Sequence, residues 1–166
     1  MKHKSIELLN KAVADELAAV HQYMYFHFHC DDQGYDLLAG MFRRTAIQEM
    51  MHIEQLSERI LFLKGDVEME ASHAVKKITD VKKMLEIAAQ MESESAHDYN
   101  VWANECSQNA DSVSKKIFEA LVQDEEIHYD QFDKEMENLQ KFGDNYLALQ
   151  SIERSKSMAA GTRPVE

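Results

Sequence analysis

Glu16, Glu49 and His52 recur as Glu92, Glu125 and His128, each shifted by the same 76 positions. Carboxylates and imidazoles in this combination are ligands for iron or manganese. Each Glu-x-x-His sets a carboxylate and an imidazole on one face of a helix, and each is preceded 33 residues earlier by a lone Glu inside another apolar helical pattern. A buried carboxylate costs several kcal/mol if ionised and unpaired, and four at one level repel one another. Two divalent ions neutralise them. The expected assignment gives Glu16 and His52 to one ion and Glu92 and His128 to the other, with Glu49 and Glu125 as bridges and open positions left for a small oxidant. A single Glu-x-x-His is common by chance on a solvated helix; two copies at a fixed offset, each matched to a Glu on an apolar seam, are not explained that way.

The same offset carries His21 onto His97, Tyr23 onto Tyr99, Cys30 onto Cys106 and Phe42 onto Phe118, so the chain reads as two related halves. Ile6, Leu9, Val13, Glu16, Val20, Tyr23, His27 and Cys30 fall at alternating steps of three and four, the inward seam of a first helix. After the break at Asp31-Asp32-Gln33-Gly34, a second seam runs from Leu38 through Phe42, Glu49, His52 and Leu56 to Leu63 and ends at Gly65. Leu85, Ala89, Glu92, Ala96, Tyr99, Ala103 and Cys106 form the third. Phe118, Leu121, Glu125, His128, Phe132 and Leu139 form the fourth, after an Asn109-Ala110-Asp111-Ser112 turn. Residues 66–79 are less regular and, extended, reach roughly 45 Å, enough to cross the bundle. The expected fold is all-α: a four-helix bundle of two antiparallel hairpins joined by a long crossover, related by a pseudo-two-fold axis, with a short C-terminal helix to about Ser157. Residues 1–158 are expected to form the domain and 159–166 a disordered tail.

Bulk properties agree with this reading. One proline and five glycines in 166 residues leave few helix breakers. Two cysteines without a close pair argue against a disulfide scaffold or a zinc ribbon, and the first 14 residues are too charged for a signal peptide, so a reducing cytoplasm fits best. No apolar run approaches the roughly 18 residues of a membrane span. The formal charge of −12 repels nucleic acid and attracts cations. Lys2, Lys4, Lys156 and Arg163 are too dispersed over an acidic chain to make DNA-binding tails.

With these residues placed, the segments Asp15-Glu16-Leu17-Ala18-Ala19-Val20-His21-Gln22-Tyr23, Glu49-Met50-Met51-His52, Glu58-Arg59-Ile60-Leu61-Phe62-Leu63-Lys64-Gly65 and Asp124-Glu125-Glu126-Ile127-His128 closely resemble bacterioferritin. The resemblance runs from about Ser5 to Gln150. It implies a ferritin-like subunit that assembles into a hollow homo-oligomeric cage, oxidises Fe(II) with O2 or H2O2 and stores the ferric mineral. The chain is also similar to the Dps-like mini-ferritins, or thioferritins, whose smaller cage makes a dodecamer the expectation and a 24-mer the alternative. A soluble di-iron or di-manganese peroxidase or catalase without storage is the competing function. A rubrerythrin-type enzyme is disfavoured, because no Cys-x-x-Cys pair exists here.

Two departures stand out. Arg44 and Gln48 occupy positions where bacterioferritins can carry a histidine and an aspartate that form an extra iron site on the inner surface, which a cation and an amide cannot reproduce. His21 replaces the usual asparagine and, roughly 140° around the helix from Glu16, is expected to be a supporting or packed histidine rather than a ligand. Met50 matches the position that supplies a haem-iron thioether between paired subunits; ordinary interface packing, shared with Met51, is the other reading. Phe26, Phe28, Met50 and Met51 lie off the inward seams and are expected at subunit contacts. Tyr23 and Tyr99 lie two turns from Glu16 and Glu92, within reach of a hydrogen bond or electron donation to the metals, with plain packing as the alternative; Trp102 is a further redox candidate. Cys30 and Cys106, each 14 residues beyond its own Glu on antiparallel helices, should sit roughly 40 Å apart as free thiols.

Overall fold

The computed structural model describes residues 2–161, which form five α-helices: α1 (Lys2–Asp32), α2 (Asp36–Phe62), α3 (Val81–Gln108), α4 (Ser112–Phe142) and α5 (Asp144–Ala159). No helix among them is long and apolar enough to cross a membrane. Helices α1 and α2 pack along their length as one antiparallel hairpin, and α3 and α4 as the other.

The hairpin turns repeat the internal symmetry. Helix α1 ends in a Schellman motif, with Tyr35 N–H bonded to Cys30 C=O and Gly34 N–H to Asp31 C=O, both 2.9 Å. Gly34 takes the required left-handed conformation at φ 83°. At the end of α3 the equivalent bonds run from Asp111 N–H to Cys106 C=O and from Ala110 N–H to Ser107 C=O, with Ala110 at φ 56°. Helix α2 closes in the same way, but Lys64 takes the left-handed position (φ 66°), not Gly65. Gly65 has a different role: a Cβ there would lie 2.7 Å from Ile6 Cγ2, so it admits the first turns of α1.

The crossover is laced along α1. Asn10 bonds Asp66 C=O (2.9 Å) and Glu68 N–H (3.1 Å), Ser72 N–H reaches Ala14 C=O (2.9 Å), and the Gln22 amide bonds both backbone groups of Lys76 (3.0 and 2.8 Å). Gln33 then reaches Thr79 C=O at 3.2 Å. The chain has by then travelled the length of α1, so α3 starts beside the end of α1 and runs antiparallel to it. Asp80 caps α3 by accepting from Lys83 N–H at 2.9 Å.

Two apolar clusters fill the bundle. One gathers Tyr23, Phe26, Cys30, Leu38, Phe42, Met84, Leu85 and Phe132; the other gathers Leu8, Leu9, Val13, Leu56, Ile60, Tyr99, Cys106, Phe118 and Leu121. Cys30 and Cys106 are free, buried, and belong to opposite clusters. Phe26 corrects the sequence expectation: it is fully buried against Phe42 at 5.2 Å, because a helix that touches two neighbours buries a wider stripe than a single seam. Phe28, Met50 and Met51 are exposed.

Helix α5 docks on the α1–α2 turn, with Gln150 buried, Arg154 paired with Asp31 and Asp36, and the Ser151 hydroxyl on Gln33 C=O. It runs two residues beyond the expected end. Most of the expected tail, residues 162–166 with Arg163, lies outside the described residues, as does the side chain of Lys2. Lys4 pairs with Glu7 and Glu105, both at 3.4 Å, and Lys156 with Glu153 at 2.9 Å.

Candidate metal centre

Between the two apolar clusters lies a layer of buried polar side chains, one Glu from each of the four helices of the bundle and one His from α2 and α4. Glu16, Glu49, His52, Glu92, Glu125 and His128 are all no more than 6% exposed. Helical register accounts for their meeting: each sits on the inward stripe of its helix, and the antiparallel hairpins bring the four stripes to a common level.

The ligand atoms fall into two groups, Glu16, Glu49, His52 and Glu125, and Glu49, Glu92, Glu125 and His128, each with its atoms within 4.8 Å of one another. Glu49 and Glu125 belong to both. Glu49 places one oxygen 2.9 Å from His52 Nδ1 and the other 2.9 Å from His128 Nδ1. Glu125 spans the same two nitrogens at 3.3 and 3.8 Å. Glu16 stands 3.3 Å from His52 Nδ1 and Glu92 3.4 Å from His128 Nδ1. Both Glu49 oxygens, one oxygen each of Glu92 and Glu125, and His128 Nδ1 are buried without a hydrogen-bond partner despite these short separations. Donor atoms that are close but not aligned with one another fit ligands gathered around ions, and the donor set of four carboxylates and two imidazoles suits a pair of divalent cations.

The crowded charges shift the affinities of these groups for protons. Burial, reinforced by Glu49 and Glu125, holds Glu16 and Glu92 well above the usual carboxylate range. Burial also disfavours charge on the imidazoles, but the carboxylates crowded around Nδ1 outweigh it, raising His52 strongly and His128 to about 12. Glu125, lifted by burial, is brought down to about 2 by the adjoining Glu92 carboxyl and the His128 and His52 imidazoles.

Around the six residues, Tyr23 donates to Glu92 and Tyr99 donates to Glu16 Oε1 at 2.7 Å. Trp102 packs on Tyr99 at 5.5 Å and on Phe118 at 5.7 Å. The far nitrogen of each imidazole has its own acceptor: His52 Nε2 meets Asp124 Oδ2 at 3.2 Å, and His128 Nε2 meets Gln48 Oε1 at 3.1 Å. Sequence reasoning missed this role for both residues. The signal was available, since Gln48 and Asp124 are related by the 76-residue offset and each precedes the Glu of a Glu-x-x-His. A cleft lined by Gln48, Met51, Glu58 and Asp124 opens onto the two imidazoles. His21 does not contribute: it is exposed, correcting the expectation of a supporting or packed histidine. Arg44 is exposed, and Met50, 55% exposed, faces away from the site.

Comparison with known proteins agrees with this geometry. A ferritin-like domain family matches residues 6–142. The bacterioferritin of Desulfovibrio desulfuricans is 35% identical over 147 residues, covering 89% of this chain and 82% of that one. The bacterioferritin of Brucella melitensis is 34% identical over 141 residues, covering 85% and 88%. An X-ray structure of the Desulfovibrio desulfuricans bacterioferritin, describing its diiron site in different catalytic states, superposes with a TM-score of 0.88 at 34% identity, covering 90% of this chain and 88% of that one. A fold built on four carboxylate-bearing helices, a symmetric pair of ligand groups and these likenesses lead to one assignment: the chain belongs to the ferritin-like family and is a homologue of the bacterioferritins.

Proposed function

We propose that this protein is a ferroxidase and iron store, with Glu16, Glu49, His52, Glu92, Glu125 and His128 holding two iron ions per subunit. The observation that carries the reading is the sharing of Glu49 and Glu125 between two otherwise separate groups of candidate ligands, which would hold two cations side by side. Bound there, a pair of Fe(II) ions supplies two electrons to O2 or H2O2. The chain's own residues would bind and orient that pair between the two apolar clusters, with Tyr23 and Tyr99 donating hydrogen bonds that fix Glu92 and Glu16. Mineral needs an enclosure that one subunit cannot provide, so the working form is a homo-oligomeric cage, placed in the cytoplasm. Exposed Phe28, Met50 and Met51 suit its contacts. The dodecamer expected from the Dps-like resemblance and the alternative 24-mer differ two-fold in mass, which light scattering separates.

Anaerobic loading followed by mixing with O2 or H2O2 should oxidise two Fe(II) per subunit in a fast phase, and light scattering should show a cage. A monomer or dimer with fast turnover and no retained iron supports instead a di-metal peroxidase or catalase. A Soret band in the purified protein, lost in Met50→Ala, would assign haem to Met50; its absence removes that role.

A further inference from the structure

We propose that the two halves of the metal centre differ in affinity, the Glu16–His52 position being the tighter, because an aspartate rather than an amide holds the outer nitrogen of its histidine. This rests on the reading of the centre as a pair of metal positions. Around that centre the halves match residue for residue: Glu16 with Glu92, Glu49 with Glu125, His52 with His128, Tyr23 with Tyr99. The symmetry breaks at the pair that hydrogen-bonds the outer nitrogens of the imidazoles, Gln48 and Asp124.

Both imidazoles turn Nδ1 towards the carboxylates, each 2.9 Å from an oxygen of Glu49. With Nδ1 as the ligand atom, Nε2 carries the hydrogen and must donate outward. His52 donates to a carboxylate oxygen at 3.2 Å, His128 to an amide oxygen at 3.1 Å. The lengths are nearly equal, so the difference lies in the acceptor's charge. A carboxylate draws the Nε2 hydrogen more strongly than an amide, which raises the basicity of Nδ1 and fixes the ring more firmly. Removing such an outer partner typically weakens metal binding about 10–100-fold. Asp124 is 52% exposed at its side chain, so its field at longer range is screened by water and the directed hydrogen bond carries the effect. Asp124 and Gln48 are thus positioning residues acting through His52 and His128.

The test loads the assembled, metal-free protein with one equivalent of Co(II) per subunit without oxygen, and measures occupancy at each position by anomalous diffraction from its crystals. In the wild type the Glu16–His52 position should be filled about ten-fold in preference to the Glu92–His128 position. Asp124→Asn and Gln48→Glu, both close in size to the originals, should each bring the ratio towards one, and the double variant should invert it. In solution, the Co(II) absorption titration should have two steps in the wild type and a single step in Asp124→Asn. Equal occupancy in the wild type, an unchanged preference in either single variant, or equal weakening of both positions by Asp124→Asn overturns the proposal. Co(II) at neither position would instead sink the paired-metal reading beneath it.

Discussion

The hydroxyl of Tyr99 on α3 donates a 2.7 Å hydrogen bond to Glu16 on α1. Tyr23 on α1 returns the arrangement by donating to Glu92 on α3. Each tyrosine lies seven residues, about 10 Å, beyond the glutamate of its own helix, yet it bonds the glutamate of the other. The antiparallel packing of α1 and α3 produces this exchange and ties the two hairpins together at the level of the four buried glutamates. Burial, with Glu16 and Glu92 close by, holds both phenols well above their ordinary range, so both hydroxyls stay protonated donors.

Tyr99→Phe therefore removes the shorter of the two hydrogen bonds to a buried Glu16 oxygen, leaving His52 Nδ1 at 3.3 Å. The metal-free variant should be destabilised by about 1–2 kcal/mol, lowering Tm by several degrees. An unchanged thermal transition would show that the hydroxyl contributes nothing to the join between hairpins.

Glu49→Ala removes the oxygens that lie against both His52 and His128. Fast Fe(II) oxidation in stopped flow should vanish, while circular dichroism stays helical, because the metal-free protein loses a buried carboxylate rather than a packing group. Oxidation at the wild-type rate would exclude Glu49 as a bridge.

Lys64 and Ala110 occupy left-handed positions that elsewhere in this chain fall to Gly34. Lys64→Gly and Ala110→Gly should each raise stability, by up to about 1 kcal/mol, since relief of the Cβ strain exceeds the added freedom of the unfolded chain. A lower Tm in both would mean the turns are not strained.

Asp111 caps α4, accepting from Ser114 N–H at 3.1 Å and from Arg59 at 2.6 Å. Partial burial pushes its carboxyl up, but hydrogen bonds from Ser114, Ser5 and Arg59 prevail and bring it from 3.8 to about 2. The folded protein thus holds this proton less tightly than the unfolded chain. The resulting stability is complete above about pH 4 and is lost as pH falls towards 2. Asp111→Asn keeps a capping oxygen and should be about 1 kcal/mol less stable than wild type at neutral pH, with the gap closing by pH 2. A gap independent of pH in denaturation curves would rule out the charge as its source.

Cys30 and Cys106 should both be free in the intact mass of the non-reduced protein. Burial alone pushes the Cys30 thiol up to about 12, so it should resist alkylation at neutral pH until the protein unfolds. A Cys30–Cys106 linkage within one chain would contradict the crossover that sends the two cysteines into opposite clusters.

Helix positions and the six residues of the buried polar layer were legible in the sequence alone. Helical period places Glu16, Glu49, Glu92 and Glu125 on inward stripes, the 76-residue offset declares the two halves equivalent, and a crossover long enough to span the bundle sets the hairpins antiparallel. These are properties of spacing along one chain, and spacing is what a sequence records. What each side chain meets on another helix came only from the packing of the helices. Periodicity gives Tyr23 an angle on α1, but only packing shows that it bonds Glu92. It puts Phe26 off the seam, whereas a second neighbouring helix buries it; it leaves His21 open to a supporting role, whereas the fold exposes it. Gln48 and Asp124 reveal themselves as partners of His128 and His52 only once α2 and α4 lie side by side, because a hydrogen bond between helices depends on their relative height and rotation, which no single helix encodes.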